Sequence, residues 1–123
     1  MTVNEVIATV DSRMIGNRYP IEEKVRWLSD LDSRIYAEVI SRYEDSGAKG
    51  FAGYSADGDL NDEMIATDGY AEMYIFYLQA MINKENCEYT RYNNGMLMFN
   101  TFYSLFTRQY NRKHRAKRAV IYF

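Results

Sequence analysis

The stretch that decides the fold runs YTRYNNGMLMFNTFYSLFTRQY, from Tyr89 to Tyr110. Within it Tyr89, Tyr92, Met96, Phe99, Tyr103, Phe106 and Tyr110 follow one another at steps of three, four, three, four, three and four. An α-helix brings residues three and four apart onto one side, so these seven form a continuous seam, filled with rings and methionine in place of leucine. Leu97, Met98, Phe102 and Leu105 widen the apolar surface beyond what one neighbouring helix covers. Either several helices pack around this segment, or part of its face meets another subunit. The spacing predicts a helix over 88–112 and a mainly α fold.

Working upstream, Asn83 to Asn86 is polar, a break or a bend. Before it Tyr70, Met73, Tyr74, Tyr77, Leu78, Met81 and Ile82 form the apolar face of a helix over 68–84, with Asp68 placed to cap it. A longer amphipathic helix is expected over 20–43. Pro20 suits its first turn, Glu22 and Glu23 favour its positive end, and Ile21, Val25, Leu28, Leu31, Ile35, Val39 and Ile40 continue one stripe beside Trp27 and Tyr36. At the start, Thr2-Val3-Asn4-Glu5 has the form of a capping box. Val3, Val6, Ile7, Val10 and Met14 then predict a helix over 3–14, ended by Gly16-Asn17. The expected architecture is a small helical bundle with a long central helix, one domain over 1–111.

Between 44 and 68 the periodicity dissolves. Five of the seven glycines fall between Gly47 and Gly69, and eight acids between 44 and 72 face one base, Lys49. An aperiodic stretch of this length in a compact domain usually carries function. Ala56-Asp57-Gly58-Asp59 reads as a turn, with room for short strands on either side.

Composition narrows the class. A chain of 123 residues, 47% apolar and 26% charged, suits one globular domain and excludes a disordered chain. No apolar run approaches the roughly 18 residues of a membrane span. Residues 1–20 carry Glu5, Asp11, Arg13 and Arg18 among scattered apolar positions, unlike a signal peptide. Cys87 stands alone, so no internal disulfide forms and a cytosolic setting is expected. Of the aromatic residues 12 are Tyr, which suits both a ring-filled core and a surface that is later covered.

Charge is segregated although the net is only −2. Arg108, Arg112, Lys113, Arg115, Lys117 and Arg118 meet no acid to the end of the sequence, which leaves −8 on everything before them. Residues 112–123 thus read as an arm, basic first and then apolar through Val120, Ile121, Tyr122 and Phe123.

Catalytic signals are thin. His114 sits inside Arg112-Lys113-His114-Arg115, where neighbouring cations oppose protonation and an exposed position is expected. Asp57 to Glu63 lacks the ligand spacing of an EF-hand, Asp30 and Asp32 point to different faces of their helix, and Glu22 and Glu23 read as surface charge. Neither a phosphate-binding glycine loop nor a Gly-x-Ser-x-Gly elbow occurs. These readings point away from an enzyme and assign no catalytic, metal or cofactor-binding residue. The basic arm leaves one alternative function, a small helical regulatory or nucleic-acid-binding protein that contacts phosphates without reading bases.

Three blocks of sequence carry a resemblance. They are Thr2-Val3-Asn4-Glu5-Val6-Ile7, then Glu23 to Asp32 with Ile35-Tyr36, then Tyr74 to Leu78 with Glu88 to Asn94 and Phe99-Asn100. Together they resemble the head–tail connector (head-completion, or adaptor) proteins of tailed phages and prophages of Gram-positive hosts. The resemblance implies a structural virion protein of the neck, assembled in the host cytoplasm as a ring homo-oligomer beneath the portal protein. Its further partner is a downstream neck or tail-completion protein, and DNA passes through the ring without sequence-specific binding. It also implies that the arm docks on the portal through Arg112, Lys113, Arg115, Lys117, Arg118, Val120, Ile121, Tyr122 and Phe123. Residues 44–66 depart from the family pattern in their glycine content.

Overall fold

The structure is a computed structural model that describes residues 1–43, 50–58, 60–66 and 68–114. The fold is mainly α, a small bundle of α1 (Val3–Arg13), α2 (Ile21–Glu38), α3 (Glu72–Glu85) and α4 (Tyr89–Lys113). Among the described residues no strand forms; the turn at 56–58 has no flanking strands, and an isolated bridge joins Thr2 to Glu63.

The first helix begins as its sequence predicts. Thr2 Oγ1 accepts from the Glu5 amide at 3.1 Å, and the Thr2 amide donates to Glu5 Oε1 at 3.0 Å, so the capping box is complete. Val3, Val6, Ile7 and Val10 are buried. The chain at 60–64 is pinned to this end, with the Asn4 amide donating to the Leu60 carbonyl at 2.9 Å and the Met64 amide to the Met1 carbonyl at 3.0 Å.

The second helix is shorter than the stripe implies. It stops at Glu38, and Ile40–Arg42 tighten into a 3₁₀ turn. The β-branched pair Val39-Ile40 lies at this break, and the tighter turn sends Ile40 and Tyr43 into the core. Val25, Leu28, Leu31 and Ile35 are buried as expected, while Ile21 is exposed. Trp27 is buried and its ring lies 5.8 Å from that of Tyr19.

Asp68 is not the cap of α3. Asp68–Tyr70 form a 3₁₀ turn, and α3 starts after Ala71 with no side-chain cap. This helix is apolar on most sides, burying Met73, Tyr74, Ile75, Leu78, Ala80 and Ile82, and it packs against all three other helices. The polar segment after it is a true break. The Glu88 amide reaches the Asn83 carbonyl at 2.8 Å and the Cys87 amide reaches the Lys84 carbonyl at 3.0 Å. That paired pattern is a Schellman motif, with Cys87 in the left-handed position at φ 60°.

After this reversal α4 runs back along α3. Gly95 permits the close approach, since a Cβ there meets the Ala80 Cβ at 3.2 Å. The seam helix therefore lies on the outside of the bundle, with α3 as its main support. It is not surrounded by several helices.

Candidate functional site

The described residues present two places where chemistry and position coincide: the long face of α4, and a buried carboxylate between the helices.

On α4 the seam is only partly covered. Phe99 and Phe106 are buried, Tyr92, Met96, Tyr103 and Tyr110 are half-buried, and Tyr89 is exposed. Several helices do not enclose it: a helix of 25 residues overhangs one of 14, so its C-terminal half finds other partners. Phe106 meets Tyr70 at 6.0 Å between ring centres, and Tyr110 meets Tyr43 at 5.2 Å. The Tyr103 hydroxyl donates to Glu38 Oε1 at 2.5 Å, while the Arg34 guanidinium lies 5.4 Å from the centre of its ring. Burial, with the neighbouring Glu38 charge, pushes the Tyr103 phenol up to about 12.

The opposite side of α4 faces outward. At 100° per residue Leu97 and Thr101 fall opposite Phe99 and Phe106, and Leu105 lies to the side, 100° from Phe106. Leu97 is 65% exposed and Leu105 42%. The charged residues of this helix, Arg91, Arg108, Arg112 and Lys113, are all basic, and Glu88 just before it pairs with Arg91 at 3.6 Å. The result is an apolar strip with basic ends on a body that is otherwise acidic.

The expected arm is divided by the structure. Arg112 and Lys113 belong to the last turn of α4, beyond the boundary expected at 111. Arg115, Lys117, Arg118, Val120, Ile121, Tyr122 and Phe123 lie outside the described residues. His114 is half-buried rather than exposed, its ring stacked on Tyr110 with centres 3.6 Å apart.

The buried carboxylate is Asp32, which the sequence places on a different helix face from Asp30 and to which it assigns no role. It is fully buried, because it shares the inward face of α2 with Leu28 and Ile35. Its Oδ2 accepts from the Tyr54 hydroxyl at 2.5 Å and the Ile65 amide at 3.1 Å. Its Oδ1 accepts from the Tyr74 hydroxyl at 2.6 Å, and that hydroxyl accepts from the Ala66 amide at 2.7 Å. Removal from water raises the Asp32 carboxyl above the ordinary range, against the lowering effect of its three donors. Burial beside this carboxylate also pushes both tyrosine hydroxyls well above their usual range.

The same knot holds the aperiodic segment to the bundle. Ser29 Oγ accepts from the Tyr54 amide at 2.9 Å. Gly53, at φ 91°, passes so close that a Cβ there falls 2.9 Å from the same oxygen. A carboxylate enclosed by phenols and amides fixes conformation; nothing about it presents a reacting atom to a substrate.

Among the described residues no three His, Cys, Asp or Glu side chains are grouped to hold a metal ion. None of their helices is long and apolar enough to cross a membrane. No protein family, curated protein or solved structure matches the chain.

Proposed function

We propose that this chain is a structural subunit that associates with copies of itself, and that the resulting ring serves as a head–tail connector beneath a phage portal. The observation that carries the assembly reading is the outward strip of α4, where Leu97 and Leu105 stand in water two turns apart. An apolar strip rimmed by charge is the usual mark of a surface that another molecule covers. The charge separation also supports it. A ring needs two unlike faces that meet head to tail, and a basic α4 beside an acidic body offers two unlike faces. The connector role itself rests on the sequence resemblance, and in it DNA passes through the ring without base-specific contact. The arm over 112–123 is assigned to the portal, with its cations steering the encounter and its apolar end holding it.

The test is assembly with and without the strip. Mass photometry and negative-stain microscopy of the full chain, alone and with portal rings, should show closed rings or ring-capped portals. Leu97→Glu with Leu105→Glu should abolish them and leave the circular dichroism spectrum unchanged. A chain that stays monomeric with its portal present, or a double variant that still closes rings, overturns the proposal.

A further inference from the structure

A second surface lies where α4 ends. Residues of α4 from Phe106 onward, with His114 just past its end, line a cleft of about 220 Å³ together with Ile65 and Tyr70. Its wall is aromatic. Phe106 meets Tyr70 on one side and Tyr110 on the other, with ring centres 6.0 and 5.8 Å apart. Tyr110 continues the row to Tyr43 and His114. Ile65, Tyr70 and Tyr110 are only half-buried, so apolar surface is left open here. The volume falls below the roughly 300 Å³ at which clefts for small molecules begin, and it suits one or two large side chains.

The last described residue stands at this cleft. His114 follows the final turn of α4 in extended backbone, at φ −125° and ψ 146°, with its ring over Tyr110. Beyond it come Arg115, Ala116, Lys117, Arg118 and Ala119, then Val120, Ile121, Tyr122 and Phe123, all outside the described residues. The sequence therefore carries four consecutive large apolar residues on a spacer of five. Phe106 lies eight residues before His114, about 12 Å back along the helix axis. Five extended residues reach about 17 Å at most, so a chain that turns back after His114 sets the apolar tetrad beside Phe106 and Tyr110.

We infer that the tetrad Val120, Ile121, Tyr122 and Phe123 occupies this cleft on its own chain and completes the aromatic row. Rings prefer tilted or edge-on neighbours, which Tyr70, Phe106 and Tyr110 offer. The cations of the spacer stay in water while the apolar side chains leave it. A segment on so short a tether has a local concentration of about millimolar, which a free partner or a second copy matches only when packed as densely. That favours the chain's own tetrad over both. The inference does not rest on the ring reading, but the two meet at the arm. One tetrad cannot fill the cleft and hold a portal at once, so docking on a portal requires its release.

The experiment compares the full chain with its full-length variant Ile121→Asp with Phe123→Asp, both labelled for NMR at isoleucine methyls and side-chain amides. The Ile65 methyl and the Gln109 amide report the cleft. Ile15, which lines a separate cleft with Arg91 at the other end of α4, is the control. The double variant should shift the first two signals and leave Ile15 in place. A blocked peptide of residues 115–123 should return them saturably toward their wild-type positions. It should bind the wild type at least about tenfold more weakly, because the attached tetrad competes. Identical cleft signals in the two chains, or equal peptide binding by both, overturns the inference. So does equal binding of the same peptide with both apolar residues replaced by aspartate. Wild-type cleft signals that move only as the protein concentration rises give the cleft to a second copy and overturn it too. No readout depends on a portal or a ring.

Discussion

Tyr74→Phe isolates the hydroxyl on which the buried knot turns. The substitution keeps the ring among the packed side chains and removes one oxygen. That oxygen donates to Asp32 Oδ1 at 2.6 Å and accepts from the Ala66 amide at 2.7 Å, both deep in the bundle. Its loss leaves a carboxylate oxygen without a donor and an amide without an acceptor. A buried orphan costs about 1–3 kcal/mol, and more when charged, so the variant should lose about 3–5 kcal/mol. Tyr54→Phe is the internal control. Its hydroxyl also reaches Asp32, but Oδ2 keeps the Ile65 amide and the ring is half-buried, so water can replace the lost donor. The expected cost is about 1–2 kcal/mol.

Urea unfolding followed by the fluorescence of Trp27, the one tryptophan, measures both variants. With a slope of about 1.5 kcal/mol per molar urea, Tyr74→Phe should lower the midpoint by about 2 M or more, and Tyr54→Phe by about 1 M. Equal losses for the two variants would refute the reasoning, as would a loss for Tyr74→Phe below about 1 kcal/mol.

Cys87→Gly should stabilise the fold by about 0.5–1 kcal/mol, because glycine adopts the left-handed position of the Schellman motif without a Cβ penalty; thermal melting checks it, and a lower melting temperature contradicts it. The Asp32 carboxyl is raised in the folded state, chiefly by burial, so its contribution is fully present below its ordinary value of 3.8 and fades as pH rises through the raised value. Denaturant titrations of the wild type and Asp32→Asn should therefore give a stability difference that shifts against the wild type as pH climbs from 3.8, and a flat or opposite trend removes burial as the dominant effect.

Much of the bundle is legible because helices advertise themselves locally. The capping box at Thr2, the stripe from Val25 to Ile35 and the steps along α4 each lie within a few residues of sequence. What escapes is whatever depends on partners far along the chain. Asp32 has its ligands 22, 33 and 42 residues away, two of them on a segment with no periodicity at all. A signal did exist: Asp32 lies four residues after Leu28 and three before Ile35, on the face that must point inward. The Schellman turn was hidden for the opposite reason. Its usual marker is glycine, and here cysteine occupies the position. For α4 the steps reveal which side is apolar, but they do not reveal how many helices remain to cover it.

These features bear on one another in the proposed assembly. Burying an unpaired carboxylate is unfavourable unless its donors are all in place. Tyr54 and Ile65 come from the segment before α3, and Tyr74 from α3 itself, so Asp32 is satisfied only when this segment, α2 and α3 reach a single arrangement. That couples the aperiodic segment to the core and fixes α3, the main support of α4. A closed ring of identical subunits needs the same angle at every contact, because an error repeated around the circle prevents closure. A flexible support under Leu97 and Leu105 would spread that angle. In the proposed ring the buried knot and the exposed strip would serve one requirement: the knot ties α2, α3 and the segment before α3 into one arrangement, and α3 supports α4.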